Sequence, residues 1–516
     1  MGPNETATRK AMFRTACSGA LRFSALGLSV AALVLLAGCS TTDGAQGTTN
    51  GRAQKPPTAT LTPDAPSSLA PDAPGASPAP TTDVPDAGPP PTRARCGAAP
   101  YDWLPATHMG DILETRSAAS HSPIELDLVA LQFKQKGAFK TRRGSSHGTN
   151  AKLIRYQTQD RGQLTEATAL VTTPITQGPD TFPVMLFLHG TIGFNDLCSP
   201  TRPIVESNDG GFSEPTAVIA SILASYGYIA VFPDYLGLKS FGPPSGQLHP
   251  YLVGEPTAIA SLDAVRAALK FVKSDTDLTP GPLVVVGASQ GGHAAAFVDR
   301  YAPHYAPELP IAGEAWIIPP TDLEGQVKVA LGGSSPTKAW ANVAGFLVGA
   351  EEWYRAAPQG LASAFQAPFD TALLTALMSS CSSVPGFDSA TPATVFTSAL
   401  LTAAQASAPI TNPFGCYARE SSLESTSVPR ASDVPAMVVL GEKDGLVSTP
   451  VERAAFQTLC SQGYRLKYQE CAGQDHTESF FRSWDDWLDF LGERAAGEPL
   501  TGTCVLNAPV TCGSTP

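Results

Sequence analysis

From Cys96 onward, short apolar runs rich in β-branched residues alternate with alanine-rich stretches at helical spacing, and this alternation constrains the fold most. Strands that repeatedly give way to helices close most simply into an α/β architecture, a mostly parallel central sheet flanked by helices. Strands are expected at residues 153–158, 167–173, 184–188, 229–233, 283–287, 313–318, 436–440 and 465–470, and helices at 215–226, 255–273, 291–300, 450–461 and 479–492. One connection is out of scale. More than a hundred residues separate Ile318 from Val434, where a strand-to-helix connection usually takes about 2–6. An inserted, alanine-rich helical cap is therefore expected over residues 319–430, with the core built from 96–318 and 431–516.

The N-terminal part reads differently. Arg14 and Arg22 precede an apolar run over residues 23–36, which is short of the roughly 20 residues a membrane helix needs and fits a removable signal peptide, 1–38. The run ends in Leu36-Ala37-Gly38-Cys39, which resembles the lipobox of bacterial lipoproteins. That resemblance implies that Cys39 is acylated and becomes the new N-terminus, anchoring an exported protein to a bacterial membrane, at the outer membrane or cell surface. An uncleaved membrane helix is the plainer alternative, and it too would tether the chain. Residues 39–95 are dense in Pro, Ala, Asp and Thr without apolar periodicity, so they are expected to stay disordered as a linker. Extended at about 3.1 Å per residue, the proline-rich part reaches up to about 100 Å.

Ten cysteines are present. Setting aside Cys17 in the signal and Cys39 leaves an even number, suited to disulfides in an oxidising compartment. Proximity along the chain suggests Cys460 with Cys471, Cys504 with Cys512, and Cys381 with Cys416. The net charge of −12 disfavours nucleic acid as a partner.

The chemistry concentrates at Gly287-Ala288-Ser289-Gln290-Gly291, which follows the apolar run 283–286 and opens a small-residue helix. A serine on a tight strand-to-helix turn is pushed into a cleft, and its flanking glycines allow the backbone to fold that sharply. The pentapeptide alone is weak, since a chain of this glycine content matches it by chance about 0.3 times. A second match, Gly144-Ser145-Ser146-His147-Gly148, follows Arg142-Arg143 rather than a strand and is read as a loop. Ser289 as nucleophile needs a base and an orienting carboxylate. His476, between the last strand and the last helix, is the expected base, and Asp444, just past the run 436–440, the expected acid, with Glu442 as runner-up. Asp475 adjoins the histidine, and neighbouring side chains in extended chain point apart. The main-chain amides of Gln290 and Thr191 are the expected oxyanion donors. His189, Asp234, His249 and Tyr251 are read as residues that brace loops. Neither a metal-ligand cluster nor a phosphate loop is evident, and no cofactor is expected.

These elements occur in the order Ser, acid, His, and the chain from about residue 150 to 492 resembles the α/β-hydrolase superfamily. Within it the chain looks like the secretory lipase group related to fungal lipase A, on three stretches: Pro233-Asp234-Tyr235-Leu236-Gly237-Leu238, His249-Pro250-Tyr251-Leu252 leading to residues 260–268, and Gly287-Ala288-Ser289-Gln290-Gly291-Gly292. The resemblance implies carboxylic ester hydrolysis by Ser289, Asp444 and His476 without cofactor, on lipid or small-molecule esters, beneath a cap. Apolar cap residues Trp340, Phe346, Leu347, Trp353, Phe365, Phe369, Leu373, Leu374 and Leu377 are expected to form mainly the cap's own core. Any that face the cleft would favour medium or long acyl chains. Two competing readings remain: a serine peptidase of the same fold, with Glu351 or Glu352 as a peptide-terminus clamp, and a catalytically idle surface-binding lipoprotein.

Overall fold

The computed structural model describes residues 91–135, 141–332, 339–381 and 387–513. The expected signal segment, Cys39 and the expected linker up to residue 90 lie outside the described residues. Nine strands form one sheet among the described residues, ordered β1-β2-β3-β5-β4-β6-β7-β8-β9. They are β1 (Ile112–Ser117), β2 (Gly148–Asp160), β3 (Gln163–Ile175), β4 (Thr181–Leu188), β5 (Ile229–Pro233), β6 (Thr279–Ala288), β7 (Ile311–Ile317), β8 (Pro435–Gly441) and β9 (Arg465–Cys471). From β5 to β9 every neighbouring pair is parallel, whereas β1, β2 and β3 pair antiparallel with one another and β3 pairs antiparallel with β5.

The antiparallel edge has a local cause. Arg161 and Gly162 lie between β2 and β3, both with positive φ, 49° and 70°, the two-residue turn whose twist matches a hairpin. β1 was not among the expected strands; its burial follows no strict alternation, so it carries little period-two signal.

In chain order the helices are α1 (Pro123–Gln135), α2 (Arg202–Glu206), α3 (Pro215–Ser225), α4 (Gly254–Asp275), α5 (Gln290–Tyr305), α6 (Leu323–Leu331), α7 (Ala339–Tyr354), α8 (Phe369–Ser379), α9 (Pro392–Val395), α10 (Ser398–Gln405), α11 (Phe414–Glu420), α12 (Thr449–Ser461), α13 (His476–Arg482) and α14 (Trp484–Ala495). One apolar cluster packs α4 and α5 against the sheet, and a second packs α3, α13 and α14 against it. With both faces covered, the central strands read as continuous apolar runs: every residue of β5 is buried.

Among the described residues six helices, α6 to α11, lie between β7 and β8 and share a third apolar cluster with Leu248 and the segment 251–253. All nine aromatic and leucine residues expected to build this region pack in or against that cluster.

The last helix departs from expectation. The apolar pattern over 479–492 predicts one helix, but α13 ends at Arg482 and α14 starts at Trp484. Ser483 sits between them with its hydroxyl donating to Ser479 O at 2.7 Å, a bond back to the preceding turn that bends a helix.

The disulfides overturn all three pairings suggested by proximity. Cys96 joins Cys416, Cys198 joins Cys381, Cys460 joins Cys504, and Cys471 joins Cys512. Cys460 closes α12, before β9, and Cys471 ends β9, so a seven-residue strand of roughly 20 Å separates the nearest partners in sequence. The C-terminal tail instead runs parallel to β9, with Cys504 N donating to Leu466 O and Ala472 N to Val510 O. One disulfide clips each end of this tail, which also covers the edge strand.

Composition assigned residues 91–95 to the linker, yet Arg93 is buried against Glu255, with 2.7 Å between guanidinium and carboxylate. The ion pair attaches the chain to the body ahead of Cys96.

Candidate active site

Register alone brings four loops to one edge of the sheet. Leu188 of β4 pairs with Gly287 of β6, and Gly441 of β8 pairs with Cys471 of β9. The segments carrying Gly190, Ser289, Asp444 and His476 therefore all leave at the carboxyl ends of parallel strands, where open α/β sheets place their ligands.

Ser289 has φ 57° and ψ −119°, a left-handed conformation that strains a residue with a Cβ and is held only by its surroundings. Its N–H donates to Ile317 O at 2.9 Å, and its carbonyl accepts from His293 N at 3.1 Å. The neighbouring glycines are steric necessities: a Cβ at Gly287 would lie 2.0 Å from Gly291 O, and one at Gly291 1.9 Å from Leu188 O. On the other side, a Cβ on Gly190 would sit 3.7 Å from the Ser289 Cβ, so the loop after β4 touches the serine directly. By contrast, Ser146 of the second pentapeptide precedes β2 and donates to Ser225 O.

Asp444 and His476 meet across the loops after β8 and β9. His476 Nδ1 lies 2.6 Å from Asp444 Oδ2, and both side chains are almost wholly buried. The other carboxylate oxygen, Oδ1, accepts from Leu446 N and Val447 N at 2.9 Å each, an Asx-type turn that fixes the carboxylate before it reaches the imidazole. His476 opens α13, whose N-cap is Asp475, accepting from Glu478 N at 2.8 Å. Asp475 is thus engaged with the helix. Glu442 accepts from Gly473 N at 2.6 Å and braces the histidine loop.

Ser289 shares a cavity of about 50 Å³ with Leu446 and Val447, the residues whose amides clamp Asp444. That cavity sets the Asp444 loop beside the serine, and no hydrogen bond joins Ser289 to His476 among the described residues. Nucleophile and base are often further apart without substrate and tighten in the complex.

Behind the serine, polar groups are arranged around the two expected donors. Among the described residues neither Thr191 N nor Gln290 N has a protein acceptor. The Thr191 hydroxyl lies 2.7 Å from Tyr251 OH. The Gln290 side chain is buried with its Nε2 2.6 Å from His249 Nε2, while His249 Nδ1 lies 2.7 Å from Leu236 O. A carbonyl only accepts, so Nδ1 carries the proton and Nε2 accepts from the Gln290 amide. Burial pushes the His249 pKa down to about 3, which keeps the ring in that neutral form. His189 stacks on Tyr235 at 4.2 Å between ring centroids, and its pKa is lowered to about 4 by burial. Asp234, fully buried, accepts from Thr168 and Thr201 hydroxyls at 2.6 Å each. Desolvation nonetheless raises its pKa to about 7.

The remaining expected residues separate by place. Of the nine apolar residues considered for the cleft, Phe346 alone lines the Ser289 cavity. Trp353 and Leu374 line a different cavity of about 180 Å³, together with Glu352. Glu351 accepts from Tyr417 OH at 2.7 Å and lies outside the serine's cavity. Gln326 was missed by sequence reasoning: it lines the cavity while donating to Glu452 and accepting from Ser448 N. Nothing in its local pattern marks it.

The profile that describes secretory lipases matches residues 214–503. Lipase 7 of Candida albicans is 31% identical over 170 residues, a stretch covering 32% of this chain and 37% of that lipase. Among solved structures, the ligand-bound rice cell wall degrading esterase LipA from Xanthomonas oryzae superposes with a TM-score of 0.60 at 20% identity, covering 75% of this chain and 97% of that one. Candida antarctica lipase A in its closed state superposes with a TM-score of 0.58 at 14% identity, covering 78% and 86%. At these identities the superpositions establish a shared α/β-hydrolase fold. The profile match takes in β5 to β9, Ser289, Asp444 and His476, and on it this chain belongs to the secretory lipase family.

Proposed function

We propose that the chain is a serine carboxylic ester hydrolase, an esterase or lipase, acting on lipid or small-molecule esters outside the cytoplasm. The observation that carries this reading is the cavity holding Ser289 beside the two amides that clamp Asp444, itself 2.6 Å from His476. In the mechanism, Ser289 Oγ bonds to the ester carbonyl carbon as its proton passes to His476 Nε2. Asp444 holds the Nδ1 proton and stabilises the imidazolium. The tetrahedral oxyanion is taken up by Gln290 N and Thr191 N. Collapse expels the alcohol, which recovers the proton from His476, and leaves an acyl-enzyme. A water activated by the same imidazole then releases the acid and restores Ser289.

A fluorophosphonate probe is expected to form an adduct on the peptide containing Ser289, and nitrophenyl esters to be cleaved far faster than aminoacyl anilides. Turnover confined to the anilides would replace the esterase reading with a peptidase one. Engagement of Glu351 by Tyr417, away from the serine, supports the ester.

His249 acts in this scheme as a positioning residue, holding the side chain whose main chain supplies an oxyanion donor. His249→Phe leaves the buried Gln290 amide without its acceptor, which costs about 1–3 kcal/mol. A loss of about 1.4 kcal/mol at the transition state would lower kcat about tenfold. Steady-state kinetics are expected to show that fall in kcat with KM little changed; reduced stability with kcat intact would make His249 merely structural.

Four disulfides fit an exported chain, and no helix among the described residues is long and apolar enough to cross a membrane. Anchoring is assigned to Cys39 through its lipobox-like context. Palmitate labelling in a bacterial host, lost in Cys39→Ser, is the expected result; equal labelling of that variant would remove the anchor.

A further inference from the structure

The cavity beside Ser289 is small and its walls are specific. Two cap helices form much of it. α6 contributes Val327 and Ala330, and α7 contributes Ala339, Asn342, Val343 and Phe346. Ala339, Val343 and Phe346 are spaced at i, i+4 and i+7, one stripe of a helix, and all three are buried. The stripe is backed closely: a Cβ on Gly345 would meet the Phe194 ring at 2.6 Å, so α7 is seated against the loop after β4.

We propose, resting on the ester hydrolase reading above, that this pocket is the acyl site and that it selects short acyl groups of about two to four carbons, with Val343 and Phe346 setting the limit. The cavity is small, about 50 Å³, a few times the roughly 10–15 Å³ that a single water needs. Acetyl to butyryl groups fit that room. A longer chain running toward α7 meets the buried side chains of Val343 and Phe346, which resist displacement because interiors are already at crystal-like density. Of the nine large apolar residues considered for the cleft, the eight other than Phe346 do not line this cavity.

The test measures kcat/KM for nitrophenyl acetate, butyrate, hexanoate, octanoate and dodecanoate with the wild type, Val343→Ala and Ala330→Val. The wild type is expected to peak at acetate or butyrate and to fall about tenfold or more by octanoate, in keeping with the discrimination available to a tight apolar pocket. Val343→Ala should move the peak toward hexanoate or octanoate, and Ala330→Val should move it toward acetate. Paired opposite shifts separate pocket size from a general loss of folding, which lowers every ester alike. A wild-type peak at octanoate or beyond, or a profile unmoved by both substitutions, overturns the inference while the ester hydrolase reading stands. Cleavage of none of the esters, with no fluorophosphonate adduct at Ser289, overturns both.

Discussion

Ser289→Ala is expected to lower kcat for nitrophenyl ester hydrolysis by about five to six orders of magnitude, the loss seen when the nucleophile of a concerted triad is removed. The Ser289 hydroxyl is presented by a left-handed backbone that the contacts around Gly287, Gly291 and Ile317 impose. Asp444→Asn should cost about four orders of magnitude, because an amide no longer enforces the imidazole tautomer that accepts the serine proton. The combined variant should be about as slow as Ser289→Ala alone, since groups that act as a unit are not additive. Ser146→Ala should leave the rate unchanged, its hydroxyl being spent on Ser225 O. Single-turnover and steady-state rates on a short-chain ester provide the check. Ser289→Ala retaining more than a hundredth of the wild-type rate would move the nucleophile elsewhere.

Gly291→Ala is expected to destabilise the fold strongly for the addition of a single methyl group. The new Cβ would stand 1.9 Å from Leu188 O and 2.5 Å from its carbonyl carbon. Those atoms are backbone at the end of a central strand, so neither can rotate away. Overpacking of this kind costs about 3 kcal/mol or more. With an unfolding entropy of about 2.1 cal/mol/K per residue, that is a fall of about 3 °C in Tm for a body of this size. The same displacement should tilt the first turn of α5 and move Gln290 N from its proposed oxyanion position, so activity should fall with stability. Thermal denaturation followed by circular dichroism, run with ester kinetics on the folded fraction, measures both. A Tm equal to that of the wild type would mean that the turn is looser than its contacts indicate.

Much of the fold is legible along the chain because its signals are local. Eight of the nine strands follow from short apolar runs, which parallel strands buried on both faces produce. The strand-to-helix turn at Ser289 is equally local, its glycines lying two residues to either side. β1 escaped because a half-exposed edge strand carries little pattern. The break at Ser483 escaped because one side-chain hydrogen bond ends a helix whose apolar spacing continues across it.

The candidate site was legible in part. Ser289, Asp444 and His476 each follow a recognisable strand, and the order of those strands along the chain underlies the roles proposed for them. Leu446 and Val447, which hold the carboxylate, were not singled out, although an aspartate followed by Gly445 is the kind of sequence that forms such a turn.

By itself the sequence determined the order of eight strands and of the helices that alternate with them, which serine sits on a tight turn, and that the chain carries an even cysteine set suited to disulfides. These depend on side-chain periodicity and on sterics within a few residues. Only the tertiary structure decided which cysteines meet, which edge of the sheet the tail covers, and which of nine large apolar residues reaches the serine. Those outcomes depend on the path of the chain through space. Cys460 bonds Cys504 rather than Cys471 because the tail returns alongside β9, and Phe346 alone enters the cavity because α7 turns one narrow stripe toward Ser289.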